Sequence, residues 1–319
     1  MNAPPPDSPA TNSQATDSPV RDDRARRGFM LGLGAYALWG VLPVYFKQMP
    51  GVPAMDIVAH RVLWSVPFLA ALLAWTAGWG RVATALRDRR TVLLLMTTAV
   101  LIAINWLIYV YAVTSGHILA GSLGYYLNPL ANVLLGRFFL KERLSGLQWA
   151  AVAIAGAGVA VLAAGALEHL WISLTLCISF ASYGLLRKVA SVDSVAGLAI
   201  ETTLLLPLSL LWLAWAVAAG APAFGSTTNQ TILLVLAGVV STIPLLLFTA
   251  AARKLRYSTL GMLQFLAPTA QFLLAVLVYG EPFTRLHAIA FGAIWLALAL
   301  YVTALVRQSS EQAAGESTN

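Results

Sequence analysis

Charged residues are scarce in this sequence of 319 residues. Asp, Glu, Lys and Arg make up only 10% of the chain and hydrophobic residues 59%, whereas a soluble domain carries about 25% charged residues. A soluble fold is thereby excluded, and we predict an all-α integral membrane protein. A spanning helix needs about 20 mostly apolar residues. Ten such stretches are present, at 28–47, 56–77, 91–112, 117–140, 146–165, 167–189, 194–219, 231–252, 257–279 and 284–306.

Cysteine is almost absent. The single residue, Cys177, lies in the sixth predicted span, which excludes a disulfide framework and a cysteine-rich metal site. The four histidines lie near the outer ends of spans without H-E-x-x-H spacing, and no G-x-x-x-x-G-K-[ST] nucleotide loop is present. We therefore expect no metal, no cofactor, no enzymatic activity and no nucleotide-driven motor.

The basic residues are distributed unevenly between the loops. If the amino terminus is cytoplasmic and each span changes sides, only Lys47 and Arg285 fall outside and Arg61 lies within a span. All other lysines and arginines are then cytoplasmic, as the positive-inside rule requires. We predict a multi-pass protein with both termini in the cytoplasm. The basic pI follows from this topology, so the bilayer is an expected partner and nucleic acid is not.

Two stretches of the chain, 121–143 and 258–281, resemble each other. Both begin with a hydroxyl residue followed by Leu-Gly, and both have a proline thirteen residues before a glutamate. The corresponding positions are Pro129 and Pro268, Glu142 and Glu281, Tyr125 and Gln264, and Asn132 and Gln271. A duplicated membrane unit explains this pattern.

The duplication divides the chain into two five-helix repeats, at 28–165 and 167–306. Because five spans per repeat is an odd number, the repeats insert in opposite orientations. Residues 1–27 form a polar cytoplasmic tail that we expect to be disordered. Residues 307–319 form a cytoplasmic tail at the other end.

Polar and aromatic side chains recur inside the predicted spans. Asn128 and Asn132 share one face of span 4, and Pro129 deprives the carbonyl of Tyr125 of its helical partner. Such a backbone group must be buried in protein or face a wet cavity. This face of span 4 is therefore interpreted as the lining of a cavity, and the alternative is that its two asparagines form hydrogen bonds between helices. The candidate substrate-binding residues are Trp39, Asn105, Tyr109, Tyr125, Asn128, Asn132, Tyr183, Gln264 and Gln271.

Two ionisable residues, Arg61 and Glu201, lie inside spans at equivalent positions of the repeats, 140 residues apart. An ionisable group at this depth is a functional candidate. The alternatives are that Arg61 extends to the outer headgroups and that Glu201 makes a helix-packing hydrogen bond. Inverted repeats would place Arg61 toward the outside and Glu201 toward the inside, so we expect no ion pair between them. We assign coupling or gating to Arg61, Glu201, Pro129 and Pro268, with Glu201 as the candidate for proton coupling.

The motifs in these spans are similar to those of a known family. They are Trp39-Gly40 and Pro43 in span 1, His60-Arg61-Val62 in span 2, Asn105-Trp106-Leu107 in span 3, Ser122-Leu123-Gly124-Tyr125 and Asn128-Pro129-Leu130 in span 4, and Tyr183-Gly184-Leu185 in span 6. Over residues 28–306 the chain resembles the EamA branch of the drug/metabolite transporter superfamily, and within it the RarD-type permeases. The resemblance implies a ten-helix carrier of the bacterial inner membrane.

These observations together favour a secondary transporter of small organic solutes, which exports its substrate by alternating access. Aromatic faces and amides suit a small, partly apolar zwitterion better than a sugar phosphate. The alternative is a membrane-embedded sensor or a passive channel without active transport.

Overall fold

The computed structural model describes residues 18–114, 117–163, 167–220, 223–278, 280 and 285–317, and within them the regular structure is entirely helical. The helices are α1 (Ser18–Phe46), α2 (Ala54–Trp75), α3 (Trp79–Arg87), α4 (Arg89–Thr114), α5 (Ile118–Phe138), α6 (Gly146–Ala163), α7 (Leu170–Val189), α8 (Ser194–Ala218), α9 (Thr228–Ala252), α10 (Tyr257–Gln264), α11 (Leu266–Leu273) and α12 (Arg285–Ser317).

The chain is an all-helical membrane protein. In the described part of the sequence, nine helical segments are long and apolar enough to cross a membrane. The remaining predicted span corresponds to α5, which is not among the nine. The count of ten spans and the inverted relation of the repeats stay predictions.

Both ends of the described chain are more helical than expected. Helix α1 begins at Ser18, so residues 18–27 are helical where the sequence predicted disorder; Pro19 suits the first turn of a helix. Helix α12 continues to Ser317, through most of the predicted tail 307–319, where Gln, Glu and Ala are good helix formers. Residues 1–17 and Glu281 lie outside the described residues.

The two proline-containing copies differ in their backbone. Helix α5 runs continuously past Pro129, so this proline does not break the span. The second copy is divided: α10 ends at Gln264, Phe265 separates it from α11, and Pro268 lies in the first turn of α11. A proline is tolerated in a first turn because the N–H groups there have no helical acceptor.

The helices of residues 18–163 (the first half) pack mainly on the helices of residues 167–317 (the second half). Helix α1 contacts α9 and α11, α2 contacts α8 and α9, and α4 contacts α7, while α5 contacts α7 and α10, and α6 contacts α12. The largest buried cluster accordingly mixes both halves, with Tyr36 and Val62 beside Phe180 and Phe248. The core of the protein is therefore the interface between the halves.

Side-chain caps fix several helix starts. The carboxylate of Glu142, in the loop after α5, accepts hydrogen bonds from the backbone N–H groups of Tyr257 and Ser258 at the start of α10, where negative charge is favoured. At the start of α4, the Thr91 hydroxyl donates to Asp88. This hydrogen bond and one from the backbone N–H of Arg90 lower the pKa of the Asp88 carboxyl.

Helices α2 and α9 approach each other most closely at Gly238. A Cβ added there would lie 2.6 Å from the backbone nitrogen of Ser65 and would also collide with Trp64. Because backbone atoms cannot rotate away, Gly238→Ala is expected to force the helices apart and to lower the melting temperature of the detergent-solubilised protein. The matched control is Gly292→Ala on α12, where nothing lies within 4 Å of the added Cβ and the higher helix propensity of alanine is the main effect. Equal melting temperatures for the two variants would contradict this packing.

Candidate functional site

A buried ionic cluster lies where α4, α7 and α8 meet. Glu201 on α8 is 1% exposed and Arg187 on α7 is fully buried, and Arg187 Nε lies 3.6 Å from Glu201 Oε1. The hydroxyl of Thr98 on α4 donates to the same carboxylate oxygen, and that of Tyr183 donates to the other at 3.3 Å. Both oxygens of Glu201 therefore have partners.

Arg187 is a member of this buried cluster that the sequence analysis missed. It counted there as a cytoplasmic charge because it lies next to Lys188 at the end of a predicted span. In the structure the guanidinium lies directly over Gly197, which has no side chain to displace it, and it donates to the carbonyl of Ser194. The sequence feature that could have indicated a buried Arg187 is the small residue Gly197, which lies early in the span that follows it.

A cleft lies between the halves beside this cluster. Its empty volume is about 350 Å³ including the mouth, but the enclosed part admits only about one water molecule. We call it the inter-half cleft, and its lining is Arg61, Val62 and Ser65 on α2, Ile102 and Trp106 on α4, Leu198, Glu201, Thr202 and Leu205 on α8, and Ser241, Thr242 and Leu245 on α9.

Arg61 reaches this cleft rather than the outer headgroups. Its guanidinium carbon lies 3.9 Å from the centre of the Trp106 ring, a cation–π geometry. The sequence predicted Arg61 toward the outer side of the membrane and Glu201 toward the inner side. In the structure both residues line the same cleft, so they lie closer together than this prediction implied. Within the described residues Glu201 is paired with Arg187 rather than with Arg61.

Two of the predicted aromatic residues, Trp39 and Tyr183, belong to an aromatic cluster next to the ionic one. The ring of Trp39 contacts those of Tyr36, Phe180 and Phe248 at centroid distances of 5.6–5.9 Å. Tyr183 stacks on Phe248 at 6.5 Å. These rings come from α1, α7 and α9, so the cluster joins the halves, and its Tyr183 donates a hydrogen bond to Glu201.

The predicted amides of the repeated segment also meet. The Asn132 amide donates to Gln264 Oε1 at 2.8 Å, which links α5 to α10. Gly261 permits the approach, because a Cβ there would lie 2.8 Å from both Asn132 Cβ and the Pro129 carbonyl. Asn128 is fully buried, and neither of its amide atoms has a hydrogen-bond partner in the part of the chain that the structure describes. Of the two asparagines, only Asn132 therefore makes an interhelical hydrogen bond among the described residues.

Other predicted residues lie apart from the inter-half cleft. Asn105 donates to the carbonyl of Leu176 and to Ser179, so it joins α4 to α7. Gln271 is exposed and donates to the Trp39 carbonyl. Tyr109 is 40% exposed and its ring contacts Tyr125 at 5.5 Å. The lining of the cleft includes none of the nine predicted substrate-binding residues, but it does include Arg61 and Glu201, to which coupling or gating was assigned.

The chain matches known proteins over most of its length. The model of the EamA-like transporter family matches residues 26–164. An uncharacterized transporter of Vibrio cholerae is 45% identical over 280 residues, which cover 87% of this chain and 92% of that protein. Protein RarD of Salmonella typhi is 43% identical over 287 residues, which cover 88% of this chain and 95% of that protein.

A solved crystal structure of a protein 22% identical to this chain matches it with a TM-score of 0.67 and covers 86% of this chain and 96% of its own. This likeness concerns the fold alone. The relatives of higher identity show more: this chain belongs to the EamA-like transporter family and, within it, to the RarD-type permeases.

Proposed function

We propose that this protein is a secondary transporter that exports small organic solutes across the bacterial inner membrane by alternating access. The observation that carries the proposal is the inter-half cleft, a charged and partly polar space between the two halves of a membrane protein. Ionisable residues inside a membrane are costly and mark substrate or ion pathways. The names of the relatives, which are transporters or RarD proteins, support the same class.

The lining of the cleft supports two inverted repeats. Arg61, Val62 and Ser65 on α2 correspond to Glu201, Thr202 and Leu205 on α8, each 140 positions later, and all six line the cleft. Ile102 and Trp106 on α4 likewise correspond to Ser241 and Leu245 on α9, 139 positions later. Equivalent residues meet at one place when an approximate two-fold axis passes through it, and transporter sites lie at such repeat interfaces.

The packing of the helices supports the same symmetry. We pair α1 with α7, α2 with α8, α4 with α9, α5 with α10 and α11, and α6 with α12. If each helix is replaced by its counterpart, the contact between α1 and α9 becomes the contact between α7 and α4. In the same way, the contact between α5 and α7 becomes the contact between α11 and α1. All four contacts are present. Rocking of one half against the other would open the cleft to each side in turn.

Glu201 is suited to control this motion. Its carboxylate holds Thr98 of the first half and Arg187 of the second half. Separation of the halves along this seam must break the bond to Thr98, and a proton or a substrate that alters the charge of Glu201 would weaken it. Tyr125 and Tyr183 lie near Arg61, and Trp39 belongs to the aromatic cluster of Tyr183. We expect these three residues to contact a solute once the cleft widens.

A comparison of metabolites inside and outside cells tests the transport function. One solute class should accumulate inside a deletion strain and outside an overexpressing strain, since an exporter moves it outward. An overexpressor of Asn132→Ala should lose this effect, because Gln264 then loses its buried partner between the halves. Asn229→Ala, an exposed amide before the membrane part of α9, serves as the control. If metabolite levels are the same in the deletion and overexpressing strains, export is excluded and a sensor becomes the better hypothesis; flux that does not saturate would indicate a channel.

A variant that lacks both charges of the Arg187–Glu201 pair distinguishes a role of the pair in stability from a role in transport. Glu201→Gln leaves Arg187 buried without a counter-charge and should cost about 3–5 kcal/mol of stability, whereas neutralising both partners of such a pair is often tolerated. Arg187→Met/Glu201→Gln is therefore expected to melt near the wild-type temperature and to lose solute flux in proteoliposomes and its response to a pH gradient. Wild-type flux in the double variant would contradict a coupling or gating role for the pair.

The proposed topology can be checked with cysteine labelling. The native Cys177 is buried, and Cys177→Ala removes the background. Single cysteines are then introduced at Arg87, after the second span, and at Asn229, before the eighth predicted span; both positions are exposed. A membrane-impermeant maleimide should label Asn229→Cys in intact cells and Arg87→Cys only after permeabilisation. The opposite pattern would reverse the assignment of the termini to the cytoplasm.

A further inference from the structure

Arg61 is a cation that has no carboxylate partner among the described residues. Across the residues that the structure describes, no acidic side chain lies within 4.0 Å of its guanidinium, and its contact there is the face of Trp106. Its neighbours Tyr125 and Tyr183 carry no charge that could neutralise it. The side chain is only half-buried and lines the inter-half cleft, so its donors face the space that a solute would enter.

Among the described residues in and beside the cleft, the positive and negative charges do not balance. Arg61 and Arg187 contribute two positive charges and Glu201 contributes one negative charge. Both carboxylate oxygens of Glu201 are already bonded, one to Arg187 and Thr98 and the other to Tyr183. One positive charge therefore remains in a low-dielectric space, where an uncompensated charge is expensive. An occupant with a single negative charge would remove this cost.

The rest of the lining restricts what that occupant can be. Ser241 is 3% exposed, and its hydroxyl oxygen has no hydrogen-bond partner among the described parts of the chain. It adds one donor or acceptor to the cleft, together with the hydroxyl of Thr202. Most of the remaining wall is apolar, from Val62, Ile102, Leu198, Leu205 and Leu245. A doubly charged phosphate ester would need further cations, which this wall does not provide.

We propose that Arg61, stacked on Trp106, binds the carboxylate of the transported solute, and that the substrates are small monocarboxylates, zwitterions included, with an apolar body. The inference rests on the proposed transport function and narrows its substrate class. Arg61 is suited to the task because a planar guanidinium can stack on an aromatic ring and donate two parallel hydrogen bonds to a carboxylate at the same time.

The test uses purified full-length protein in liposomes loaded with an aqueous extract of metabolites from the host cell. Mass spectrometry then identifies every solute that leaves the vesicles faster than it leaves protein-free vesicles. The variants are Arg61→Gln, Arg61→Lys and a control, Arg87→Gln, which makes the same chemical change on exposed surface. The solutes released by the wild type should all carry a carboxylate.

Arg61→Gln is expected to slow their release by about 10- to 100-fold, because a hydrogen bond to a charged group is lost. Arg61→Lys keeps the charge but not the planar fork, so its rate should lie between the two. A binding role also predicts that Arg61→Gln melts at or above the wild-type temperature, since it removes a charge in the cleft that the free protein does not neutralise.

The outcomes separate this inference from the function on which it rests. Release of solutes that lack a carboxylate, or release of carboxylates by Arg61→Gln at the wild-type rate, would overturn the role of Arg61 and leave the transport function intact. A large loss of melting temperature in Arg61→Gln would show a structural role instead. If the wild type releases nothing, the proposed transport fails and the inference fails with it.

Discussion

The cost of placing charge inside a membrane organises the interior of this protein. Arg187 and Glu201 are almost completely buried, and neither would be stable there alone, because an unpaired ion in a low-dielectric medium loses its hydration without replacement. Their pairing requires α7 and α8 to be adjacent, Gly197 to make room for the guanidinium, and Thr98 to approach from α4. One electrostatic requirement therefore fixes the relative positions of three helices and of both halves.

Close helix approach supplies the remaining order. Apolar side chains gain little by leaving lipid for protein, so membrane helices associate through small residues and interhelical hydrogen bonds. Gly238 brings α9 onto the backbone of α2, and Gly261 brings α10 onto α5. The hydrogen bond from Asn132 to Gln264 lies beside the second of these contacts. The bundle is thus held by many short-range contacts that cross from one half to the other.

The sequence predicted the class of fold and the family because both depend on local patterns. Long apolar runs mark the spans, and Arg61, Glu201, Asn132 and Gln264 were identified because polar groups are rare in such runs. Which of these polar and charged residues contact one another could not be predicted from the sequence. Arg187 follows the rule for cytoplasmic charges by its position in the chain, and only the packing of α7 on α8 shows that it is buried. Gln271 fits the repeat pattern equally well but is exposed, and it donates to the carbonyl of Trp39 on α1 instead of joining the buried amides.

The repeated segments have unequal backbones, which matters for the conformational balance of the proposed carrier. In the proposed inverted repeat, identical halves would give inward- and outward-facing conformations of equal energy. Helix α5 is continuous, however, whereas its counterpart is divided at Phe265. Bending is therefore easier on one side of the pseudo-axis than on the other. Under the proposed alternating access, the empty protein would then prefer one orientation even in the absence of any gradient.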